Sequence, residues 1–357
     1  MVNSKIRHAI LMTGNNAIGE AAVLAGCDLY AGYPITPQNE LTAHMAARMP
    51  EENRAFIQSE SELSAINMVF GASLVGKRAM TSSSSPGISL KQEGISYLAG
   101  CRLPAFIVNI MRGGPGLGNI SPSQADYFQS VKGGGHGDYH IIVLSPASVQ
   151  EAADLTELSF DLADKYRMPV MLLGDGMLGQ MMEPVTFKNI KDNHKNFNKD
   201  WALTGAKERK PKVIKSLFLK KGSLEEHNNL LQASYRKIED QEVRFEEYLC
   251  DDADTIFVSY GITSRIVKAS VAALREKGIK AGLLRPITLW PFPKAVIENY
   301  ASKIKAFFVV EMSAGQMVED VRLAVNGKRE VFFYGRTGGS VPTSEEIEKQ
   351  YLESCVS

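Results

Sequence analysis

Long apolar runs are missing from this chain. Stretches such as Ala105 to Ile110 and Pro169 to Leu173 fall far short of the roughly 20 residues a membrane-spanning helix requires, so no segment is expected to cross a bilayer. A signal-peptide core is missing too: between Met1 and Met12 the residues Lys5, Arg7 and His8 interrupt too few apolar side chains, and the cytoplasm is the expected location. No excess charge exists either, since Lys plus Arg and Asp plus Glu both total 40, which leaves no net field to attract nucleic acid or an anionic membrane. Cysteine is scarce, and Cys27, Cys101, Cys250 and Cys355 form no C-x-x-C or Cys/His spacing. Neither zinc nor iron–sulfur ligation is therefore expected on this chain, and any redox cluster serving it would sit on another. Apart from the serines at 82–85 there is no low-complexity tract, and no periodic repeat.

What is present is an ordinary globular composition, 44% hydrophobic and 22% charged over 357 residues, long enough for two or three units. Residues 1–187 alternate short apolar runs with amphipathic segments, which predicts a largely parallel sheet covered by helices on both faces. Strands are expected at Ala9 to Met12, Leu29 to Tyr33, Arg78 to Thr81, Ala105 to Met111, Ile141 to Leu144 and Val170 to Leu173. Helices are expected at Ala17 to Ala25, Pro37 to Ala47, Glu62 to Val75 and Ser148 to Tyr166. Residues 188–250 read as a polar connector, Lys188 to Lys215, followed by a long helix over Leu224 to Leu249. From 251 to 357 the alternation restarts as a second, smaller α/β domain.

Four segments could carry chemistry. In Gly32-Tyr33-Pro34-Ile35-Thr36-Pro37 a strand gives way to a helix; Thr36 can cap that helix and Pro37 suits its first position, but strand ends of open α/β sheets also bind ligands, so the Thr36 hydroxyl could face a substrate. Ser59-Glu60-Ser61-Glu62 places two carboxylates before an apolar helix; the helix dipole accounts for one or both, although not for a pair against so apolar a helix. Thr81 to Gly87 and Met111-Arg112-Gly113-Gly114-Pro115-Gly116-Leu117-Gly118 read as flexible strand-end loops. Glycine lets backbone approach an anion there, and Arg112 offers a planar fork for a carboxylate, though a plain surface turn would also explain it. Neither loop matches a dinucleotide or nucleoside-triphosphate motif. Gly133 to Asp138, with His136, could be a lid or a solvated glycine loop.

Together, Tyr33-Pro34-Ile35-Thr36-Pro37, Ser59-Glu60-Ser61-Glu62, Thr81 to Gly87, Arg112-Gly113-Gly114-Pro115 and, later, Arg285 to Pro293 resemble the alpha subunit of 2-oxoacid:ferredoxin oxidoreductases. The resemblance covers nearly the whole chain. It implies a thiamine-diphosphate-binding-fold pyrimidine domain at 1–187 and a transketolase C-terminal-like α/β domain at 251–357. It further implies that Glu62 is the catalytic glutamate that hydrogen-bonds the aminopyrimidine of the cofactor and promotes its imino form, with Glu60 the fallback. Tyr33 and Pro34 would adjoin the cofactor, Thr36 and Arg112 would contact the 2-oxoacid, Arg112 at its carboxylate, and Ser121 would face the substrate. Gly174-Asp175-Gly176 resembles the start of the magnesium and diphosphate motif of thiamine enzymes, but the later pair, Asn228-Asn229, follows too far on, so no metal site is expected here. By the same resemblance, thiamine diphosphate is shared with a beta subunit that binds its diphosphate and magnesium. Iron–sulfur clusters, a gamma subunit and a ferredoxin-like subunit belong to partner chains, while coenzyme A is a cosubstrate and ferredoxin the electron acceptor.

The implied reaction is oxidative decarboxylation of a 2-oxoacid to an acyl-CoA and carbon dioxide. Gly116-Leu117, standing where members acting on 2-oxoglutarate tend to carry Ser-Thr, resembles members acting on branched-chain substrates such as 3-methyl-2-oxobutanoate; 2-oxoglutarate is the second choice. A non-catalytic module that supports a thiamine-binding partner is the alternative of another class. A self-contained thiamine lyase or transferase lacks its diphosphate motif.

Overall fold

The computed structural model describes residues 9–187 and 197–355. Residues 1–8, 188–196 and 356–357, which include most of the N-terminal Met1 to Met12 segment and the start of the polar connector, lie outside them. The chain separates into two compact units, one made of Met1–Ile110, Ser148–Leu172 and Met177–Ser216, the other of Met111–Ala147, Leu173–Gly176 and Leu217–Ser357.

The elements begin with β1 (Ile10–Thr13), α1 (Gly14–Leu24), β2 (Leu29–Gly32), α2 (Asn39–Glu51), β3 (Ala55–Gln58) and α3 (Glu62–Leu74). Next come β4 (Ala79–Ser83), α4 (Ser85–Gly100), β5 (Ala105–Met111), α5 (Tyr127–Val131) and β6 (Ile142–Leu144). They continue with α6 (Val149–Tyr166), β7 (Pro169–Asp175), α7 (Gly176–Gln180) and β8 (Met182–Val185). The remaining strands are β9 (Phe245–Tyr248), β10 (Thr255–Val258), β11 (Ala281–Pro286), β12 (Thr288–Trp290), β13 (Ala306–Glu311) and β14 (Glu330–Gly335). Between and around them lie α8 (Ser223–Gln241), α9 (Gly261–Glu276), α10 (Lys294–Ala301), α11 (Met317–Val325) and α12 (Ser344–Cys355).

In the first unit the strands run β7-β5-β4-β2-β3, and β3, β2, β4 and β5 are mutually parallel where they pair. Every residue of β4, β5 and β7 is buried, which is why the apolar runs at 105–111 and 170–173 are continuous rather than alternating. β3 escapes the sequence reading because it lies at the sheet edge and is short and half-exposed. Helix α1 packs on α2 and α6, and α3 packs on α4. Ser148 caps α6 by accepting from Glu151 N at 3.1 Å, the start that the Ser-x-x-Glu pattern encodes.

Helix α4 is the largest departure from expectation. Thr81 to Gly87 is not a flexible loop: β4 continues to Ser83, and Pro86 occupies the first turn of a sixteen-residue helix. Glycines at 87, 94 and 100 hide that helix in the sequence, because glycine is the weakest ordinary helix former. Gly94 has a packing reason: a methyl there would stand 2.6 Å from Ile66 Cγ2, so its bareness lets α3 and α4 approach.

In the second unit, among the described residues, a five-stranded sheet runs β14-β13-β10-β11-β9, parallel except for β9 against β11. Phe257, Val267, Leu274, Phe308, Ile347 and Tyr351 are among the residues of its core. The expected long helix over Leu224 to Leu249 ends at Gln241, and Phe245–Tyr248 becomes β9. There Glu246 accepts from Arg285 at 2.8 Å, a cross-strand tie that a reading of helical spacing cannot anticipate. The Arg285 to Pro293 run forms the end of β11 and β12, where Trp290 stacks on His140 with ring centroids 4.7 Å apart.

Candidate functional site

Because β2, β3 and β4 are parallel, their C-terminal ends share one edge of the first unit's sheet, where open α/β sheets bind ligands. Tyr33 to Gln38 follows β2, Ser59 to Ser61 follows β3, and Ser84 follows β4. Ser59 stitches the first two together, since its N and Oγ both donate to Gly32 O, at 2.9 and 3.1 Å.

The Tyr33–Gln38 turn is anchored by Gln38, which is fully buried. Its Oε1 accepts from Ser82 Oγ at 2.6 Å and Thr42 Oγ1 at 3.1 Å, and Tyr30 OH bridges the same two hydroxyls. Burial pushes the Tyr30 phenol up to about 12, so it remains a neutral partner. This network corrects the expected cap: α2 starts at Asn39 with Gln38 as the flanking residue, so Pro37 is not its first position and Thr36 does not cap it. Instead Gln38 N closes a turn on Ile35 O at 3.1 Å. The half-buried Thr36 accepts from Asn39 Nδ2 at 3.2 Å. Tyr33 and Pro34 are exposed at the rim.

Glu62 is the first residue of α3, whose start Ser61 caps by accepting from Ser64 N at 3.2 Å. Glu62 is only 6% exposed, yet among the described residues none donates a hydrogen bond to its carboxylate. That carboxylate lies over Gly87, where a methyl would stand 2.6 Å from Oε1 and 2.1 Å from Ser83 Oγ. Ser83 Oγ and Ser84 Oγ are buried without a hydrogen-bond partner. Buried polar groups are normally satisfied, so a carboxylate and one orphaned hydroxyl, that of Ser83, against one glycine make this a candidate position for a polar ligand. Glu60 differs: it is exposed, and its carboxylate accepts from Ser64 Oγ, which holds it below the usual range. Nothing in the sequence singled out Gln38 or Lys91; Ser82 and Gly87 lay within the Thr81 to Gly87 segment, read there as parts of a flexible loop.

The second unit brings Arg112 and Ser121 together. Gly113 N donates to Ser121 O at 3.0 Å and Asn119 N to Gly113 O at 2.9 Å, while Arg112 pairs with Pro122 as an antiparallel bridge. Arg112 is 7% exposed, with Nη2 donating to Leu117 O at 3.0 Å. The loop is therefore stapled rather than flexible. Gly118 is required in it, since a methyl there would stand 1.7 Å from Gly113 O. Asn119 Nδ2 ties the loop to Gly338 O at 2.8 Å. A cavity of about 600 Å³, lined in part by Gly114, Pro115, Ser123, Met312, Ser313 and Thr337, adjoins the loop. A larger cleft of about 740 Å³ lies against α8, by Asp138, His140 and Gln232, and holds none of the expected substrate residues. His136 is exposed. Among the described residues no cluster of His, Cys, Asp or Glu is disposed to hold a metal, and no helix is long and apolar enough to cross a membrane.

Residues 20–249 match the family model described as "Pyruvate flavodoxin/ferredoxin oxidoreductase, thiamine diP-bdg", and residues 253–347 match pyruvate:ferredoxin oxidoreductase core domain II. The chain is 51% identical over 343 residues to the ketoisovalerate oxidoreductase subunit VorB of Methanothermobacter marburgensis, covering 96% of this chain and 97% of that one. It is 39% identical over 316 residues to the 2-oxoglutarate synthase subunit KorA of Archaeoglobus fulgidus, covering 87% and 90%. Among solved structures, a 2-oxoglutarate:ferredoxin oxidoreductase from Magnetococcus marinus superimposes with a TM-score of 0.87 at 27% identity; 97% of this chain aligns but spans 65% of that one. A split-gene transketolase, at 14% identity, a TM-score of 0.62 and coverage of 97% and 98%, shares the fold alone. Two family models in succession, meeting near 250 and running in the order of the motifs, make this chain a member of the 2-oxoacid:ferredoxin oxidoreductase family, as a subunit that carries its thiamine-diphosphate-binding region.

Proposed function

We propose that this chain is the pyrimidine-side, substrate-gripping subunit of a complex that oxidatively decarboxylates a branched-chain 2-oxoacid, 3-methyl-2-oxobutanoate first, with coenzyme A and ferredoxin. The observation that carries it is Glu62, a carboxylate buried at the strand ends, unbonded within the described chain and kept clear by Gly87. The residues fit the aminopyrimidine end of thiamine diphosphate: Glu62 offers an acceptor, Ser83 and Ser84 offer unsatisfied hydroxyls, and Tyr33 and Pro34 flank the rim. When bound, that cofactor supplies the carbanion chemistry and the electron sink. Glu62 would then hold and return one proton at its carboxylate. Arg112 pairs with the carboxylate of the 2-oxoacid through its planar fork, and Thr36 and Ser121 orient the remainder of the substrate.

In this reading residues 1–187 are the pyrimidine domain, 188–250 the connector and helix, and 251–357 the transketolase C-terminal-like domain. The diphosphate and magnesium belong to a beta subunit, the iron–sulfur clusters to gamma and ferredoxin-like subunits, and the whole to the cytoplasm. The 51% identity to a subunit named for ketoisovalerate, against 39% to one named for 2-oxoglutarate, supports the branched-chain substrate.

The test is reconstitution. The isolated chain should be inactive, and activity with 2-oxoacid, coenzyme A and a viologen acceptor should appear when the partner chains are added, with 3-methyl-2-oxobutanoate giving the highest kcat/KM of a 2-oxoacid panel. Thiamine diphosphate and magnesium binding by the lone chain would speak for a self-contained enzyme instead. In the reconstituted complex Arg112→Ala should raise the substrate KM roughly 10–100-fold, the loss of a charge-assisted hydrogen bond; an unchanged KM removes Arg112 from the carboxylate site.

A further inference from the structure

Lys91 sits in the second turn of α4 with none of its surface exposed. Lysine is almost never fully buried unless paired, and among the described residues this one touches no carboxylate closely enough to form an ion pair: its Nζ donates to Glu62 O at 3.3 Å and to Thr81 Oγ1 at 3.1 Å. The first acceptor is the backbone carbonyl of the very residue whose side chain lies over Gly87 on the same helix. Lys91 thus joins α4, the first turn of α3 and the end of β4 at the point where Glu62 emerges.

The electrostatics point the same way. Burial lowers the ammonium to about 8, and the charge that opposes this is that of Glu62. The facing groups on the packed elements are few. Glu62 is the carboxylate on α3, while β4 presents the neutral Thr81 and Ser83, and Tyr30 of β2 turns to Ser82 and Thr42. The single acid of α4, Glu93, is exposed and bonded to Tyr97. A lysine depressed in this way binds its proton less tightly folded than unfolded, so the fold should gain stability as pH rises from about 8 towards the unfolded value, and the cost of the buried charge is fully present below about 8. A neutral residue of similar length would remove that cost.

We infer that Lys91 is a positioning residue for the reaction: its ammonium pins the backbone carbonyl of Glu62 and so fixes where the Glu62 carboxylate stands. The inference rests on the reading of Glu62 as the proton-exchanging carboxylate, and its test is arranged to separate the two.

Lys91→Gln keeps a hydrogen-bond donor and removes the charge; Lys91→Met removes both. In the reconstituted complex both variants should leave the substrate KM unchanged, because Lys91 touches the backbone of Glu62 and not the substrate, and Lys91→Gln should retain most of kcat. Lys91→Met should lower kcat about 10–100-fold, the range seen when a group that orients a functional side chain is removed. Independently of activity, ¹³C-carboxyl NMR of the full chain, with the Glu62 resonance assigned through Glu62→Gln, should show that resonance displaced in Lys91→Met and near its parental position in Lys91→Gln. Parental kcat and an unmoved Glu62 resonance in the folded Lys91→Met variant would overturn the inference, leaving Lys91 a purely structural bond. Retention of turnover by Glu62→Gln would instead overturn the role of Glu62 itself. Should Lys91→Met fail to fold, Lys91→Leu, apolar and likewise without a donor, is read by the same kcat and NMR measurements.

Discussion

Glu62→Gln is expected to lower turnover of the reconstituted complex by about three orders of magnitude while leaving the chain folded. A positioned acid or base contributes roughly 10²–10⁴-fold, and here no second carboxylate is placed to substitute. Glu60, two residues away, is exposed and engaged with Ser64. The amide is isosteric, and because no hydrogen bond to the native carboxylate exists among the described residues, its loss strands no donor. The thermal midpoint of the variant should therefore stay within a few degrees of the parent. Circular dichroism and single-turnover kinetics on the same preparation check both halves. Full activity, retained when Glu60 is replaced as well, would leave the family assignment standing and reduce this chain to an assembly module.

Gly87→Ala is expected to be nearly as damaging for a steric reason. In a helix interior alanine is favoured over glycine by about 1 kcal/mol, so the backbone of α4 should tolerate the change. The added methyl, however, falls 2.1 Å from Ser83 Oγ and 2.6 Å from Glu62 Oε1. Both are side-chain ends able to rotate away, so the fold should survive with Glu62 displaced. Misplacement by about 1 Å can cost roughly 10²-fold in rate, and a loss of that order in kcat, with a cooperative melt retained, is the expected result. Parental kcat in a folded Gly87→Ala complex would mean that Glu62 does not work from the position described.

These two residues show what could be read early and what could not. Glu62 could be nominated early because two carboxylates preceding an apolar helix exceed what the helix dipole explains, and because the resemblance implied which of them to choose; its role is the proposal that Glu62→Gln tests. Gly87 was not, since its significance lies in a neighbour twenty-five positions away on another helix. The same limit applies to Thr36. The local pattern Thr-Pro before a helix argued for a cap, but the buried Gln38–Ser82–Thr42 network draws the chain into a further turn and starts the helix at Asn39.

By itself the sequence determined the βα alternation, the buried strands at 105–111 and 170–173, the absence of a cysteine cluster on this chain and the family to which its motifs belong. All of these are set by residue type and short spacing: continuous apolar runs for strands buried on both faces, and particular side chains at particular loop positions. Tertiary structure alone decided that Thr81 to Gly87 ends a strand and opens a helix, that the Arg112 loop is closed by its own backbone, and that a buried lysine stands behind Glu62. Those features depend on contacts between segments distant in sequence, where packing against a neighbour overrides local propensity.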